Sequence, residues 1–150
     1  MPAHNDKESC LSSAPGKPSV CRILIADDSA AVRAQVRLLL EDRKDLNVCG
    51  EARNGAEAIE KTKQLHPDLV VLDISMPVVD GFEAARVIHK FFPDVRILIF
   101  SVHKSNQLVK EALAIGAVGY VPKSEGQQLL KAIDTVLRDG HYSGSTAAYA

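Results

Sequence analysis

Five short apolar runs, each separated from the next by an amphipathic stretch, constrain this chain more than any other feature of its sequence. The runs are Ile23 to Ala26, Val48 to Ala52, Leu69 to Leu72, Ile97 to Phe100 and Gly119 to Val121. Three of them are continuous and aliphatic rather than alternating, which is the pattern of central strands in a parallel sheet covered by helices on both faces. Between them, Val32, Val36, Leu39 and Leu40 repeat at i, i+4, i+7 and i+8, and Leu129, Ile133, Val136 and Leu137 repeat in the same way. Each set marks one buried helix face. Strand–helix alternation repeated five times predicts a doubly wound α/β sandwich of three layers, because parallel strands are joined by right-handed helical crossovers.

Boundary signals agree with this division. Residues 1–21 open with a Ser-, Pro- and Lys-rich stretch without periodicity and read as a disordered tail. The folded domain is expected over 22–140, with a short tail over 141–150. Asn54 is followed three residues on by Glu57, and Ser124 by Gln127, both in the pattern of a helix-capping box. Gly81 and Gly116 punctuate the remaining turns.

Composition narrows the function classes. At 150 residues, 46% hydrophobic and 25% charged, the chain suits one globular domain. A formal charge of −1 gives no support for a nucleic-acid or anionic-membrane surface. No run approaches the ~18 apolar residues of a membrane span, and no apolar signal segment opens the chain, so a cytoplasmic protein is expected. Cys10, Cys21 and Cys49 are odd in number and lack C-x-x-C spacing, which fits a reducing compartment; Cys49, in an apolar run, and Cys21, just before one, read as small buried or semi-buried thiols. The five histidines are scattered and suggest no metal site.

The informative polar residues sit where the apolar runs stop. Asp27 and Asp28 follow the first run, Asp73 the third, Ser101 the fourth and, one residue beyond Pro122, Lys123 the fifth. In an open parallel sheet the carboxyl ends line one edge, with strands ~4.8 Å apart, so these side chains should converge in one crevice. Two carboxylates ~4 Å apart repel by about 4 kcal/mol at an effective dielectric near 20. A divalent cation relieves that repulsion, and an all-oxygen donor set with room for water and phosphate suits Mg²⁺. Each residue also has a bland reading: the aspartate pair as a helix cap, Asp73 as a turn residue, Tyr120 as an ordinary packing tyrosine. Their joint placement at four strand ends favours the functional one.

These residues lie in I-L-I-A-D-D-S at 23–29, L-D-I-S-M-P-V-V-D-G at 72–81, I-F-S-V-H at 99–103 and G-A-V-G-Y-V-P-K at 116–123. With those motifs in that order, the sequence resembles the CheY-like receiver domains of two-component response regulators, and its S-x-H and G-Y-x-x-K wording resembles the NarL/FixJ branch. The resemblance implies a flavodoxin-like sheet order of 2-1-3-4-5. It implies Asp73 as the phosphoacceptor, and a Mg²⁺ site made by Asp27, Asp28, Asp73 and the backbone carbonyl of Ser75. Lys123 and Ser101 would bind the phosphoryl group, and Tyr120 would change rotamer together with Ser101. One departure stands out: Pro122 precedes the lysine and Ser124 follows it, where many members of the family carry proline after the lysine. Proline fits an edge strand, which the fifth would be.

The expected function is a phosphorylation-dependent switch. It would be served by a histidine kinase or phosphotransfer protein and would present a changed helix 4, strand 5 and helix 5 surface to an output partner. No enzymatic activity is expected beyond its own phosphorylation and dephosphorylation, and a phosphorylation-dependent dimer is compatible with that role. Ser75 and His103, two residues beyond Asp73 and Ser101, flank the path of the attacking water and should set the lifetime of the phosphorylated state. Competing readings are a Mg²⁺-dependent phosphohydrolase, disfavoured because Ser75 stands where a second aspartate would be needed, and a flavin carrier, disfavoured by the acidic first turn. A third is the excised receiver of a DNA-binding regulator.

Overall fold

The structure, a computed structural model, describes residues 20–142. The expected disordered tail, apart from its last two residues, the expected C-terminal tail beyond Tyr142, and Cys10 lie outside the described residues. Five strands alternate with five helices: β1 (Cys21–Ala26), α1 (Ala30–Leu40), β2 (Leu46–Ala52), α2 (Gly55–Leu65), β3 (Leu69–Leu72), α3 (Gly81–Phe91), β4 (Arg96–Ser101), α4 (Asn106–Ile115), β5 (Gly119–Pro122) and α5 (Leu129–Asp139). All strand pairs are parallel, in the order β2-β1-β3-β4-β5. This is the flavodoxin-like arrangement expected from the sequence.

The continuous aliphatic runs are explained by the two cores they serve. Side chains alternate along each strand, so Leu24, Val70, Leu72, Ile97 and Ile99 pack under α2, α3 and α4, while Ile23, Ile25, Leu69, Val71 and Leu98 pack under α1 and α5. A strand covered on both faces has no position left for a polar residue. The helical faces read from periodicity turn inward as well: Val36, Leu40, Leu129, Ile133 and Val136 are all buried.

Three boundaries differ from expectation. Ser124 and Gln127 form no capping box: residues Lys123–Gln128 make 3₁₀ turns, broken at Glu125 (φ −118°, ψ 45°), and α5 begins only at Leu129 without a side-chain cap. The sheet starts at Cys21, whose amide donates to the Asp45 carbonyl, so this residue belongs to the domain and not to the tail. At the other end Tyr142 is only 5% exposed, and its amide donates to the Val118 carbonyl at 2.7 Å. The fold therefore runs at least two residues beyond Gly140, because an aromatic ring there completes the core under α5. Cys21 is buried and Cys49 half-buried. Among the described residues, no helix is long and apolar enough to cross a membrane.

Strand register sets the site. Ala26 pairs with Leu72 and Leu72 with Ile99, so Asp27 and Asp73 leave the sheet side by side. The Asp73 amide donates to the Ala26 carbonyl at 2.9 Å. Ser101 pairs with Pro122 one step further along, which puts Lys123 immediately past the edge. Pro122 costs the sheet no hydrogen bond to a further strand, since β5 is an edge.

The β3–α3 loop folds back over the end of β3 by close backbone contact. Gly81 donates its amide to the Ile74 carbonyl at 2.7 Å, and a Cβ on Gly81 would lie 1.9 Å from the Asp73 carbonyl oxygen. Gly81 is thus required by proximity and not by a left-handed backbone. Gly81→Ala should destabilise the protein by at least the ~1–3 kcal/mol typical of overpacking, because the obstructing atoms are backbone and cannot rotate away. Urea unfolding checks this: an unchanged midpoint would mean that the loop yields freely.

Candidate functional site

Asp27 and Asp73 are almost wholly buried at the sheet edge, at 2% and 5% exposure, and Asp28 beside them is exposed. One carboxylate oxygen from each of the three lies within 4.8 Å of the others. Lys123 answers two of them, with Nζ 2.6 Å from Asp27 Oδ2 and 3.5 Å from Asp73 Oδ2. An open cavity of about 520 Å³ adjoins Asp28, walled by the Ile74–Pro77 loop, Asp80 and Phe82. The site therefore joins hard oxygen donors, one cation and space for a small anion with its water.

Local hydrogen bonds fix the carboxylates. Asp27 Oδ1 accepts from the Ser29 amide at 2.9 Å and Asp73 Oδ1 from the Ile74 amide at 2.8 Å, so each acid turns one oxygen to its own loop and one toward Lys123. The helix-cap reading of the aspartate pair is not needed, because Ser29 caps α1 by accepting from the Val32 amide at 3.2 Å. Asn54 caps α2 as expected, accepting from the Glu57 amide at 2.8 Å, while the Glu57 carboxylate accepts from the Arg53 amide, one residue before the cap, and not from the Asn54 amide that a capping box would use.

The β4–α4 loop brings the next group together. Ser101 is fully buried, and its Oγ accepts from the His103 amide at 3.2 Å. Tyr120, 4% exposed, donates its hydroxyl to the His103 carbonyl at 2.9 Å. The His103 imidazole is exposed, with Nε2 3.4 Å from Ser75 Oγ across the mouth of the site. Burial raises the Tyr120 phenol above its ordinary value, against the opposing effect of the Ser101 hydroxyl. Every residue singled out from the sequence thus lies at this one sheet edge. Sequence reasoning missed the residues that brace it: Arg33, whose guanidinium donates to the Asp27 carbonyl, and Lys104, paired with Glu125 at 3.2 Å between the β4–α4 loop and the 3₁₀ turns. A basic residue on a helix surface, as Arg33 is, or in a loop, as Lys104 is, carries no signal of such a role.

Residues 23–134 match the family described as the response regulator receiver domain. Over 124 residues the chain is 42% identical to protein-glutamate methylesterase/protein-glutamine glutaminase 1 of Methanosarcina mazei, covering 81% of this chain and 34% of that protein. Over 120 residues it is 42% identical to the transcriptional regulatory protein LnrK of Bacillus subtilis, covering 79% and 54%. Among solved structures it resembles a LuxR-family two-component response regulator from Aurantimonas sp. SI85-9A1, with 36% identity, a TM-score of 0.81 and coverage of 87% and 95%. The chain spans between a third and just over half the length of these two curated relatives.

Burial, reinforced by the neighbouring Asp27 charge, pushes the Asp73 carboxyl above its ordinary value, although Lys123 and the Ile74 amide oppose this. A carboxyl that binds its proton more tightly in the folded state makes stability fall as pH rises from the ordinary carboxylate range through the raised value. Asp73→Asn keeps the acceptor for the Ile74 amide and removes the charge. Without divalent ions it should be more stable than wild type at neutral pH, with the difference closing as pH drops below about 4. Thermal unfolding in chelator across pH 3.5 to 7.5 checks the sign; a variant less stable at pH 7 would reverse it.

Proposed function

The chain belongs to the response-regulator receiver family, and from that premise we propose that Asp73 takes a phosphoryl group from a histidine kinase or phosphotransfer protein. The observation that carries this is the convergence of Asp27, Asp28 and Asp73 on one point, with Lys123 bridging two of them. An Asp73 carboxylate oxygen attacks the donor's phosphorus, forming an acyl phosphate as the bond from phosphorus to the donor breaks and its electron pair leaves with the donor. The product places about two negative charges where one stood. Lys123 neutralises part of that charge. The all-oxygen donor set fits Mg²⁺, which Asp27, Asp28, Asp73 and the Ser75 backbone carbonyl would hold and which would supply the remaining positive charge.

Ser101 is the added donor. We assign to its hydroxyl a turn toward the phosphoryl oxygen that draws on the bond it accepts from the His103 amide. Tyr120 is tied to the carbonyl of the same residue, so the change passes to β5 and on to the α4–β5–α5 surface, which we assign to regulating an output partner. The chain then acts as a switch that catalyses only its own phosphorylation and dephosphorylation. A second reading, favoured by the match to a transcriptional regulator over 54% of that protein's length, attaches the switch to a DNA-binding output. In either case a phosphorylation-dependent dimer is compatible with the surface.

Incubation with acetyl phosphate and Mg²⁺ should add one phosphoryl group, read by intact mass. Asp73→Asn and chelation should each abolish it, and undiminished labelling of the variant would remove Asp73 from its role. The lifetime of the acyl phosphate is set at the mouth of the site, where the His103 ring meets Ser75. We assign the ring a shielding role, since it stands over the entrance and an acyl phosphate needs little help to hydrolyse. His103→Ala should shorten the lifetime severalfold, a change of about 1 kcal/mol in barrier. Phosphate release followed from pH 6 to 8 decides the matter, because a longer lifetime in the variant would mean that the imidazole assists the water instead.

A further inference from the structure

Asp27 is held from both directions. Its side chain reaches Lys123 and the Ser29 amide, as described, but its backbone is fastened separately to β2, an edge strand. The Asp27 amide donates to the Ala52 carbonyl at 3.0 Å. Its carbonyl accepts from Arg33 Nη1 at 2.7 Å, while Arg33 Nε donates to Glu51 Oε1 at 2.8 Å. One guanidinium, with its side chain only 12% exposed, therefore joins the first turn of the acidic site to a carboxylate on the edge strand. Glu51 is itself held: Arg37 Nε donates to Oε2 at 2.8 Å, and Lys61 Nζ donates to the Glu51 carbonyl at 2.7 Å. Burial works against the Glu51 charge, yet the two arginines keep its carboxyl below the ordinary range, so the anchor is ionised at neutral pH.

We propose that Arg33 is a positioning residue of the acidic site, fixing the β1–α1 turn through the Asp27 carbonyl so that Asp27 and Asp28 stay on the side of Asp73. A planar guanidinium with several fixed donors can bridge a carbonyl and a carboxylate at once, which a single ammonium cannot do in the same geometry. Arg33 touches none of the reacting atoms and works through Asp27. The argument for its effect on a cation rests on the reading of the site as a Mg²⁺ site. Groups that orient metal ligands in this way typically change metal affinity 10- to 100-fold when removed.

The sign of the effect separates positioning from charge. Arg33 is a cation near a cation site, so deleting its charge should by electrostatics alone tighten Mg²⁺ binding. Positioning demands the opposite. Arg33→Met, which retains an apolar stem, should weaken Mg²⁺ binding about tenfold by calorimetric titration of the unphosphorylated protein. Arg37→Met loses a like charge and the same Glu51 partner but no contact to Asp27, and should bind Mg²⁺ within about twofold of wild type. Arg33→Lys, with its charge kept and the bridge lost, should fall between the two and serves as the second variant should Arg33→Met fail to fold. In metal-free protein, amide exchange at Ser29, which donates to Asp27 Oδ1, should speed up severalfold in the Arg33 variants and not in Arg37→Met.

Unchanged or tighter Mg²⁺ binding in both Arg33 variants would overturn the proposal, as would equal weakening in Arg37→Met. If wild-type protein bound no Mg²⁺, the metal-site reading would fail on its own, and Ser29 exchange would still decide the positioning role: protection unchanged in the Arg33 variants would end it.

Discussion

A lysine ammonium held against two buried carboxylates is the interaction on which the rest of this molecule turns. Lys123 lies 2.6 Å from Asp27 and 3.5 Å from Asp73, with little water within reach of any of the three. Such a cluster is poor as a source of stability, because removing charges from water costs several kcal/mol per ion and the attraction between them only partly offsets it. What it provides is a place where charge is unbalanced by design. Three acids face one base, and the protein is most at ease there once further positive charge arrives. The two cores beneath the sheet, rich in fully buried Ile and Leu, supply the stability that lets this edge remain strained.

The loops around the cluster share parts economically. The peptide groups flanking the His103 Cα bond to two different side chains, Ser101 through the amide and Tyr120 through the carbonyl. The backbone of Asp27 is likewise used twice, by Ala52 and by Arg33. The Asp27 and Asp73 carboxylates and the Ser101 hydroxyl each accept from a nearby backbone amide, which restricts their rotamers.

The fold and the facing residues were legible in the sequence for one reason: both are written in hydrophobic pattern. Continuous aliphatic runs identify buried parallel strands, and the first polar residues after such a run mark the sheet edge, so Asp27, Asp28, Asp73, Ser101 and Lys123 could be placed together before any geometry was known. What could not be read depends on contacts between positions distant in sequence. Arg33 and Glu51, eighteen residues apart, look like ordinary helix and strand surface. Tyr142 lies two residues beyond Gly140 in a stretch that reads as a tail, yet it closes a core that only the folded β5 and α5 define. The Ser124–Gln127 pair has the spacing of a capping box, but the backbone after Lys123 winds as 3₁₀ turns, and local spacing alone does not separate that from an α-helical start.

The two borders of the sheet differ from its interior in a way that bears on how the molecule meets others. β5 has four residues and ends in Pro122, which has no amide proton to offer, and β2 is bulged at Cys49, where the register to β1 shifts between Ile23 and Leu24. Short, kinked or proline-bearing borders are poor templates for an incoming strand. Neither side of the sheet therefore invites the edge-to-edge stacking that leads exposed sheets toward aggregation, and encounters with other chains are steered away from backbone pairing to the helical flanks and the loops above the strands.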